Sequence, residues 1–266
     1  MQFKYLIPLV ILATACTPAP VERPSAPTVA KRVAPYHPNP GEQARLLATL
    51  QRLAPAADPQ VLSMALQSRQ CAMQNGRVAN RAHRLAVIDF SRPSSQKRMW
   101  VFDLGSQRLL YDEFVAHGEG SGDNMATKFS NIDNSHQTSL GLFTTAETYY
   151  GANGYSLRMD GLEPGINDNA RSRAIVIHGA DYVNPNLIPT QGRIGRSWGC
   201  PAVRRDIAPQ LIDTIKEGNL LFAYYPDPQF VKNSGYLGCG GAAVADIGPG
   251  FNAGNASVTT NASPSP

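Results

Sequence analysis

The stretch that decides the fold is residues 174–203, AIVIHGADYVNPNLIPTQGRIGRSWGCPAV. The apolar run at its start predicts a buried β-strand that ends at His178. Cys200 follows 22 positions later, in a turn flanked by Gly199 and Pro201. A thiol that attacks a carbonyl needs a base to take its proton and backbone amides to stabilise the oxyanion. We therefore predict that the connecting loop folds Cys200 back onto His178.

The proton chemistry of this pair assigns a role to each residue. A free thiol has a pKa of about 8.5, so little of it is thiolate at neutral pH unless an imidazole accepts the proton. We predict Cys200 as the nucleophile and His178 as its base, with the amides of Gly199 and Cys200 as the oxyanion hole. Other side chains of the loop are candidates for substrate binding, the arginines through a carboxylate: Tyr182, Arg193, Arg196, Ser197 and Trp198.

The cysteine turn carries a family likeness. Residues 195–202 read Gly-Arg-Ser-Trp-Gly-Cys-Pro-Ala. After a His-Gly strand end, this turn resembles the L,D-transpeptidase (YkuD-like) catalytic domain. The closer likeness is to a branch of murein L,D-transpeptidases in which Gly-Arg-Ser-x-Gly-Cys-Pro-Ala replaces the commoner Ser-His-Gly-Cys-(Ile/Val)-Arg. Further segments resemble that branch in the same order, so that the likeness covers about residues 80–227: residues 117–122, 129–131, 141–145 and 155–162.

The resemblance implies a two-step acyl transfer on peptidoglycan stem peptides. The thiolate attacks the carbonyl at the L-centre of the third residue, expels the terminal D-amino acid and forms a thioester, which an amine of a neighbouring stem then resolves into a cross-link. It also implies that the Gly179 carbonyl, rather than a carboxylate, orients the His178 ring, and that no cofactor is needed. Two alternatives stay open, namely an L,D-carboxypeptidase in which water resolves the thioester and a catalytically silent murein-binding lipoprotein.

Two positions depart from the wider family. Trp198 stands where histidine is usual, and Ala202 stands where arginine or asparagine is usual. The roles of those two side chains in the family are therefore not carried over. Arg196 and Arg204 are the candidates for supplying the missing cation.

Composition and spacing exclude other classes of function. The net charge is +4 and the lysines and arginines are scattered, so no basic stripe for nucleic acid is present. A metal-dependent amidase would need histidines or acidic residues spaced on one face, and the available histidines have no such spacing: His83, His117, His136 and His178. We predict no metal site.

The first residues predict export. Residues 1–15 have the basic start, apolar core and small-residue end of a signal peptide. Cys16 follows directly, and a Pro-rich tether over residues 16–40 suits an anchored enzyme. We therefore expect the protein to be exported to the cell envelope or periplasm and to be anchored to a membrane by a lipid on Cys16. The intact mass of the exported protein would reveal the acyl groups. The alternative is ordinary cleavage after Ala-Thr-Ala, with an unmodified cysteine.

With Cys16 set aside, three cysteines remain. An odd number leaves at least one thiol unpaired in an oxidising compartment, and Cys200 is the natural one. Cys71 lies on a helical face and Cys239 lies in a glycine-rich stretch. We expect three free thiols, with a Cys71–Cys239 bridge as the alternative.

The hydrophobic pattern divides the rest of the chain. Residues 41–79 predict a helical segment that packs on the catalytic domain, with a separate peptidoglycan-binding module as the alternative. Residues 80–227 predict a mainly β domain with few helices, for which the resemblance implies a β-sandwich. Polar loops at residues 118–139 and 149–154 are expected to form binding walls. Residues 228–266 predict a disordered tail, because they combine almost no charge with no apolar periodicity.

Overall fold

The computed structural model describes residues 40–78 and 82–239. The predicted signal peptide, Cys16 and nearly all of the tether lie in residues 1–39, outside the described residues. The part of the expected tail from residue 240 onward lies outside them as well. Within the described ranges, no helix combines the length and the apolar character needed to cross a membrane.

Two helices precede the sheet, α1 (Pro40–Leu53) and α2 (Pro59–Gln74). Asp58 begins the second helix, because its carboxylate accepts a hydrogen bond of 2.7 Å from the Gln60 N–H and proline occupies the first helical position. Both helices bury apolar side chains, including Leu50 and Leu62, in the same core as the strands. The helical segment is thus part of this core.

The described residues form one sheet of eight strands in a barrel-like sandwich, in the order β3-β2-β1-β8-β4-β5-β6-β7. Their bounds are β1 (Arg84–Asp89), β2 (Met99–Asp103), β3 (Arg108–Glu113), β4 (Gly141–Gly151), β5 (Gly154–Gly161), β6 (Val176–Ala180), β7 (Ala202–Arg204) and β8 (Leu220–Tyr224). The other helices are α3 (Ile188–Gln191), α4 (Ala208–Ile215) and α5 (Pro228–Asn233), with 3₁₀ turns at Glu119–Ser121 and Pro185–Leu187. The prediction of a mainly β domain is confirmed.

The β4–β5 hairpin corrects one predicted loop. Residues 149–154 were expected to be a polar loop that forms a binding wall. The loop is shorter than expected, because β4 runs to Gly151 and pairs there with Gly154. The turn that joins the strands is Ala152-Asn153, followed by Gly154 with a φ of 76°. Strand-forming threonine and tyrosine side chains extend the ladder.

The sheet closes on itself beside the cysteine turn. After β3 the chain crosses to the opposite edge of the sheet and forms an antiparallel bridge with β7. There the Ala116 N–H donates to the Ala202 carbonyl, with an N···O distance of 2.8 Å. Arg204 of β7 also forms an ion pair of 3.0 Å with Glu113 of β3. We call these contacts, together with the Gly118–Ser197 bridge, the seam.

The expected disordered tail is wrong for residues 228–239. Asp227 caps α5 by accepting hydrogen bonds of 2.8 Å from two backbone N–H groups. Phe230, Tyr236 and Leu237 are buried in the core. These apolar residues are too few and too irregularly spaced to show periodicity, yet together they cover the end of the sheet.

A disulfide bond fixes the same segment to α2. Cys71 and Cys239 are bonded across 168 positions of sequence, so the expectation of three free thiols is wrong. Two other contacts reinforce the bond: Gln67 donates to the Leu237 carbonyl at 2.6 Å, and the Ser234 hydroxyl donates to the buried Glu163 carboxylate. Sequence alone could not pair these cysteines, because the pairing depends on where the C-terminal segment docks.

Candidate active site

His178 lies in β6, and its ring is oriented by its own neighbour. The Nδ1 atom is 3.2 Å from the Gly179 carbonyl oxygen. A carbonyl can only accept, so Nδ1 carries the proton and Nε2 keeps a free lone pair. Gly179 also needs to be glycine, because a Cβ there would lie 2.8 Å from the Ala208 Cβ at the start of α4. The contact that the resemblance implied is therefore present.

Cys200 is brought to this histidine by two parallel strands. It directly precedes β7, and within the β6–β7 pairing His178 is in register with Ala202. The sulfur receives the Val176 N–H at 3.5 Å and lies 3.6 Å from the Ala174 carbonyl oxygen. Cys200 and His178 line one cavity of about 430 Å³. The predicted pair is thus assembled in a shared cavity.

The turn that presents the thiol is built by Ser197. The Ser197 hydroxyl donates to the Cys200 carbonyl at 2.6 Å and accepts from the Gly199 N–H at 3.1 Å. The Gly199 N–H is therefore engaged within the turn, whereas no acceptor is found for the Cys200 N–H among the described residues. The oxyanion role of the two amides stays a prediction. Ser197 is buried and shapes the turn, and it also lines the cavity.

Two glycines allow the turn to pack against its neighbours. A Cβ on Gly118 would lie 2.8 Å from both the N and the Cα of Gly199. A Cβ on Gly199 would lie 2.9 Å from the Gln137 carbonyl, and the residue has a φ of 121°. Both positions exclude any side chain. The nucleophile turn is therefore held between two stretches of backbone.

A buried arginine and histidine support the turn from behind. The Arg98 guanidinium is fully buried and lies 2.7 Å from His117 Nδ1. The His117 carbonyl accepts the Ser197 N–H at 2.9 Å. Burial, followed by the charge of Arg98, lowers the pKa of His117 to about 3, and burial lowers the pKa of Arg98 to about 9. His117 is therefore neutral at physiological pH and accepts through Nδ1.

Burial also sets the resting charge of the catalytic pair. It raises the pKa of the Cys200 thiol and lowers the pKa of the His178 imidazole, in each case as the largest cause. Both changes favour the neutral form. The site thus rests as a thiol and a neutral imidazole.

The remaining predicted residues divide between the cavity and its surroundings. The cavity is lined by Tyr182, Arg196, Ser197 and Trp198. Arg193 does not; it forms an ion pair of 2.6 Å with Asp123. Arg204 belongs to the seam, so it does not supply a cation to the site.

The sequence matches the family model of the L,D-transpeptidase catalytic domain over residues 53–224. The chain belongs to this family. Solved structures that resemble it include an L,D-transpeptidase from Mycobacterium smegmatis, with 16% identity and a TM-score of 0.34 over 54% of this chain and 59% of that one. L,D-transpeptidase 3 from Mycobacterium tuberculosis has 13% identity and a TM-score of 0.34 over 54% and 61%. An enzyme from Stackebrandtia nassauensis has 12% identity and a TM-score of 0.33 over 70% and 92%.

This L,D-transpeptidase domain spans about three fifths of the length of the first two of these structures. A search of curated sequences found no match. No group of three or more His, Cys, Asp or Glu side chains is placed to hold a metal ion in residues 40–78 and 82–239.

Six residues that line the cavity were not predicted individually as site residues: Asp133, Asn134, His136, Asn153, Arg173 and Ala174. Arg173 lies just before the apolar run that predicted a strand, and β6 begins only at Val176. His136 lies in the loop of residues 118–139 and stacks on Trp198, with ring centroids 5.1 Å apart. The polar loops that were expected to form binding walls contain His136 and Asn153, both of which line the cavity. For Arg173, the signal in the sequence is a charged residue just before a buried strand.

Proposed function

We propose that this domain is a cysteine-dependent L,D-transpeptidase that acts on peptidoglycan stem peptides, of the branch with the Gly-Arg-Ser-x-Gly-Cys-Pro-Ala motif. The observation that carries the proposal is the single cavity shared by Cys200 and His178, with the His178 Nε2 lone pair left free by the Gly179 contact. Family membership supports the reaction class. The lipid anchor on Cys16 remains part of the proposal.

In the first step His178 Nε2 takes the proton from the Cys200 sulfur, and the thiolate attacks the carbonyl carbon at the L-centre of the third stem residue. The oxyanion accepts a hydrogen bond from the Cys200 N–H. His178 then returns the proton to the leaving amine, and the C–N bond breaks to release the terminal D-amino acid. A thioester on Cys200 remains.

In the second step an amine of another stem attacks the thioester. His178 takes a proton from the amine, the C–S bond breaks, and the thiol is regenerated by that proton. When water attacks instead, the same site is a carboxypeptidase. The balance between the two outcomes depends on how well the cavity binds the acceptor.

Trp198 supports transfer to an acceptor. Its side chain is 73% exposed, although it lies two residues before the nucleophile. One face stacks on His136 with an interplanar angle of 9°, and His136 Nδ1 is 2.9 Å from a Glu119 carboxylate oxygen. An exposed aromatic ring held in place beside a reactive group is a surface for binding. The acceptor stem is the substrate that this surface suits.

The test of the proposed function is to incubate the purified protein with a tetrapeptide stem and measure its intact mass. A thioester adduct on Cys200 that lacks the terminal D-amino acid is expected, and adding a second stem should convert it to a cross-linked dimer. A silent murein-binding protein would bind the stem without any adduct, and carbapenem would leave its thiol unmodified.

Trp198→Ala should lower the ratio of amine transfer to hydrolysis by about two- to tenfold, which corresponds to the roughly 0.5–1.5 kcal/mol of an aromatic contact. Acylation by the donor alone should change little. Tyr150→Ala is the matched control, since Tyr150 is 83% exposed and its ring contacts the Tyr155 ring at a tilt of 38°, but it does not line the cavity. An unchanged ratio in Trp198→Ala would contradict a role in acceptor binding.

A further inference from the structure

The backbone beside the Cys200 sulfur is strained. Ala174 has a φ of 53°, in the left-handed region that residues other than glycine rarely adopt. This conformation directs its carbonyl to 3.6 Å from the sulfur, and two residues later the Val176 N–H donates to the sulfur at 3.5 Å. Such strain persists where the surrounding structure fixes it, often at functional sites. The residue just before this corner is Arg173.

Arg173 is held by neutral acceptors. Its Nη1 donates at 2.6 Å to both the Ser130 carbonyl and the Ser139 hydroxyl. Its Nη2 donates to the Ser135 hydroxyl at 3.0 Å and to the Gln137 carbonyl at 2.8 Å. These bonds use all four Nη hydrogens. The guanidinium is therefore fixed in the cavity wall, and its Nη groups are already engaged within the protein.

The positive charge of Arg173 is not neutralised by a contacting carboxylate. Within the described residues no Asp or Glu oxygen forms an ion pair with it, and its Nε is buried without an acceptor. Asp133 lines the same cavity, and its negative charge acts on the Arg173 guanidinium without an ion-pair contact. The other cavity arginine, Arg196, donates to the Gly122 carbonyl and lies 3.6 Å from Asp123.

We propose that Arg173 is the cation that stabilises the thiolate of Cys200. This role was expected of Arg196 or Arg204, and the proposal rests on Cys200 being the nucleophile of the proposed function. Proton transfer from the sulfur to His178 Nε2 leaves a negative charge on a sulfur that is only partly exposed to solvent. A fixed positive charge in the same wall lowers the free energy of that state through its field, without a bond to the substrate.

The test is the pH dependence of Cys200 alkylation by iodoacetamide, in which the thiolate displaces iodide and forms an S–C bond. This reaction needs no peptidoglycan, so it separates the proposal from failure of the transpeptidase assignment. Arg173→Met and Arg173→Gln should raise the midpoint pH of alkylation by about one unit or more. Arg173→Lys, which keeps the charge but loses most of the four hydrogen bonds, should stay within a few tenths of wild type.

Arg171→Met is the matched control. Arg171 is two positions away, and its guanidinium forms ion pairs with Glu147 and Asp160, away from the cavity. Its midpoint should equal that of wild type. The proposal is overturned if the folded neutral variants keep the wild-type midpoint, or if Arg173→Lys shifts it as far as Arg173→Met, because the hydrogen bonds and not the charge would then be responsible. Circular dichroism shows whether each variant is folded. If Arg173→Met does not fold, Arg173→Gln is the neutral variant that tests the proposal.

Discussion

Cys200→Ser should lower acyl transfer on the order of 10⁴-fold or more while leaving the fold intact. A hydroxyl ionises far less readily than a thiol, and burial lowers the pKa of His178, so this imidazole is a weak base. In serine hydrolases a carboxylate stabilises the imidazolium, whereas here Nδ1 contacts the neutral Gly179 carbonyl. The rate of acyl transfer is measured by separating the stem-peptide products by chromatography and identifying them by mass.

Cys200→Ala is the matched control for this substitution. If serine cannot act as a nucleophile in this setting, the serine and alanine variants should be equally inactive. The melting temperatures of both should be close to that of wild type, because the turn is fixed by Ser197 and not by the sulfur. Measurable cross-linking by the serine variant but not by the alanine variant would contradict the weak-base account of His178.

A chain that ends at Asp227 should fail to fold stably. The truncation removes the Cys71–Cys239 bond, which for a loop of this length contributes about 2–5 kcal/mol. It also removes Phe230, whose loss from a core costs about 3–5 kcal/mol, and it leaves the buried Glu163 without the Ser234 hydroxyl. Together these losses are similar to the whole stability of a typical domain. Circular dichroism and thermal unfolding measure the result.

A chain that ends at Cys239 is the control for this truncation and should unfold near the wild-type temperature. The thiol count gives an independent check. The denatured but unreduced protein, with Cys16 lipidated, should show one reactive thiol, that of Cys200. Three thiols, or a stable chain ending at Asp227, would contradict the structural role of the C-terminal segment.

The parts of the fold that the sequence predicts are those with a strong local pattern. The helical pattern of residues 41–79 corresponds to α1 and α2, and β1 and β2 lie in the region predicted to be mainly β. β7 has three residues, too few to show any period, and it is defined only by its pairing with β6. Docking of residues 228–239 likewise depends on distant partners.

The site shows the same division between local and distant causes. That Cys200 and His178 share one cavity could be predicted, because the family likeness of the cysteine turn and the His-Gly strand end indicates both residues. The hydrogen bond of the Gly199 N–H could not be predicted, because only the folded turn shows that this group donates to the Ser197 hydroxyl. Arg173 was missed for a related reason: the acceptors that hold it come from the loop of residues 130–139, which carries no periodic pattern.

The seam places the catalytic turn at the point where the barrel is least strongly closed. Neighbouring strands elsewhere share ladders of several residue pairs, whereas Ala116–Ala202 and Gly118–Ser197 are isolated bridges. Local opening costs least where few backbone hydrogen bonds must break. Amide hydrogens at the seam should therefore exchange with solvent faster than those of the central strands. These amides would therefore report on local opening of the wall that carries Cys200.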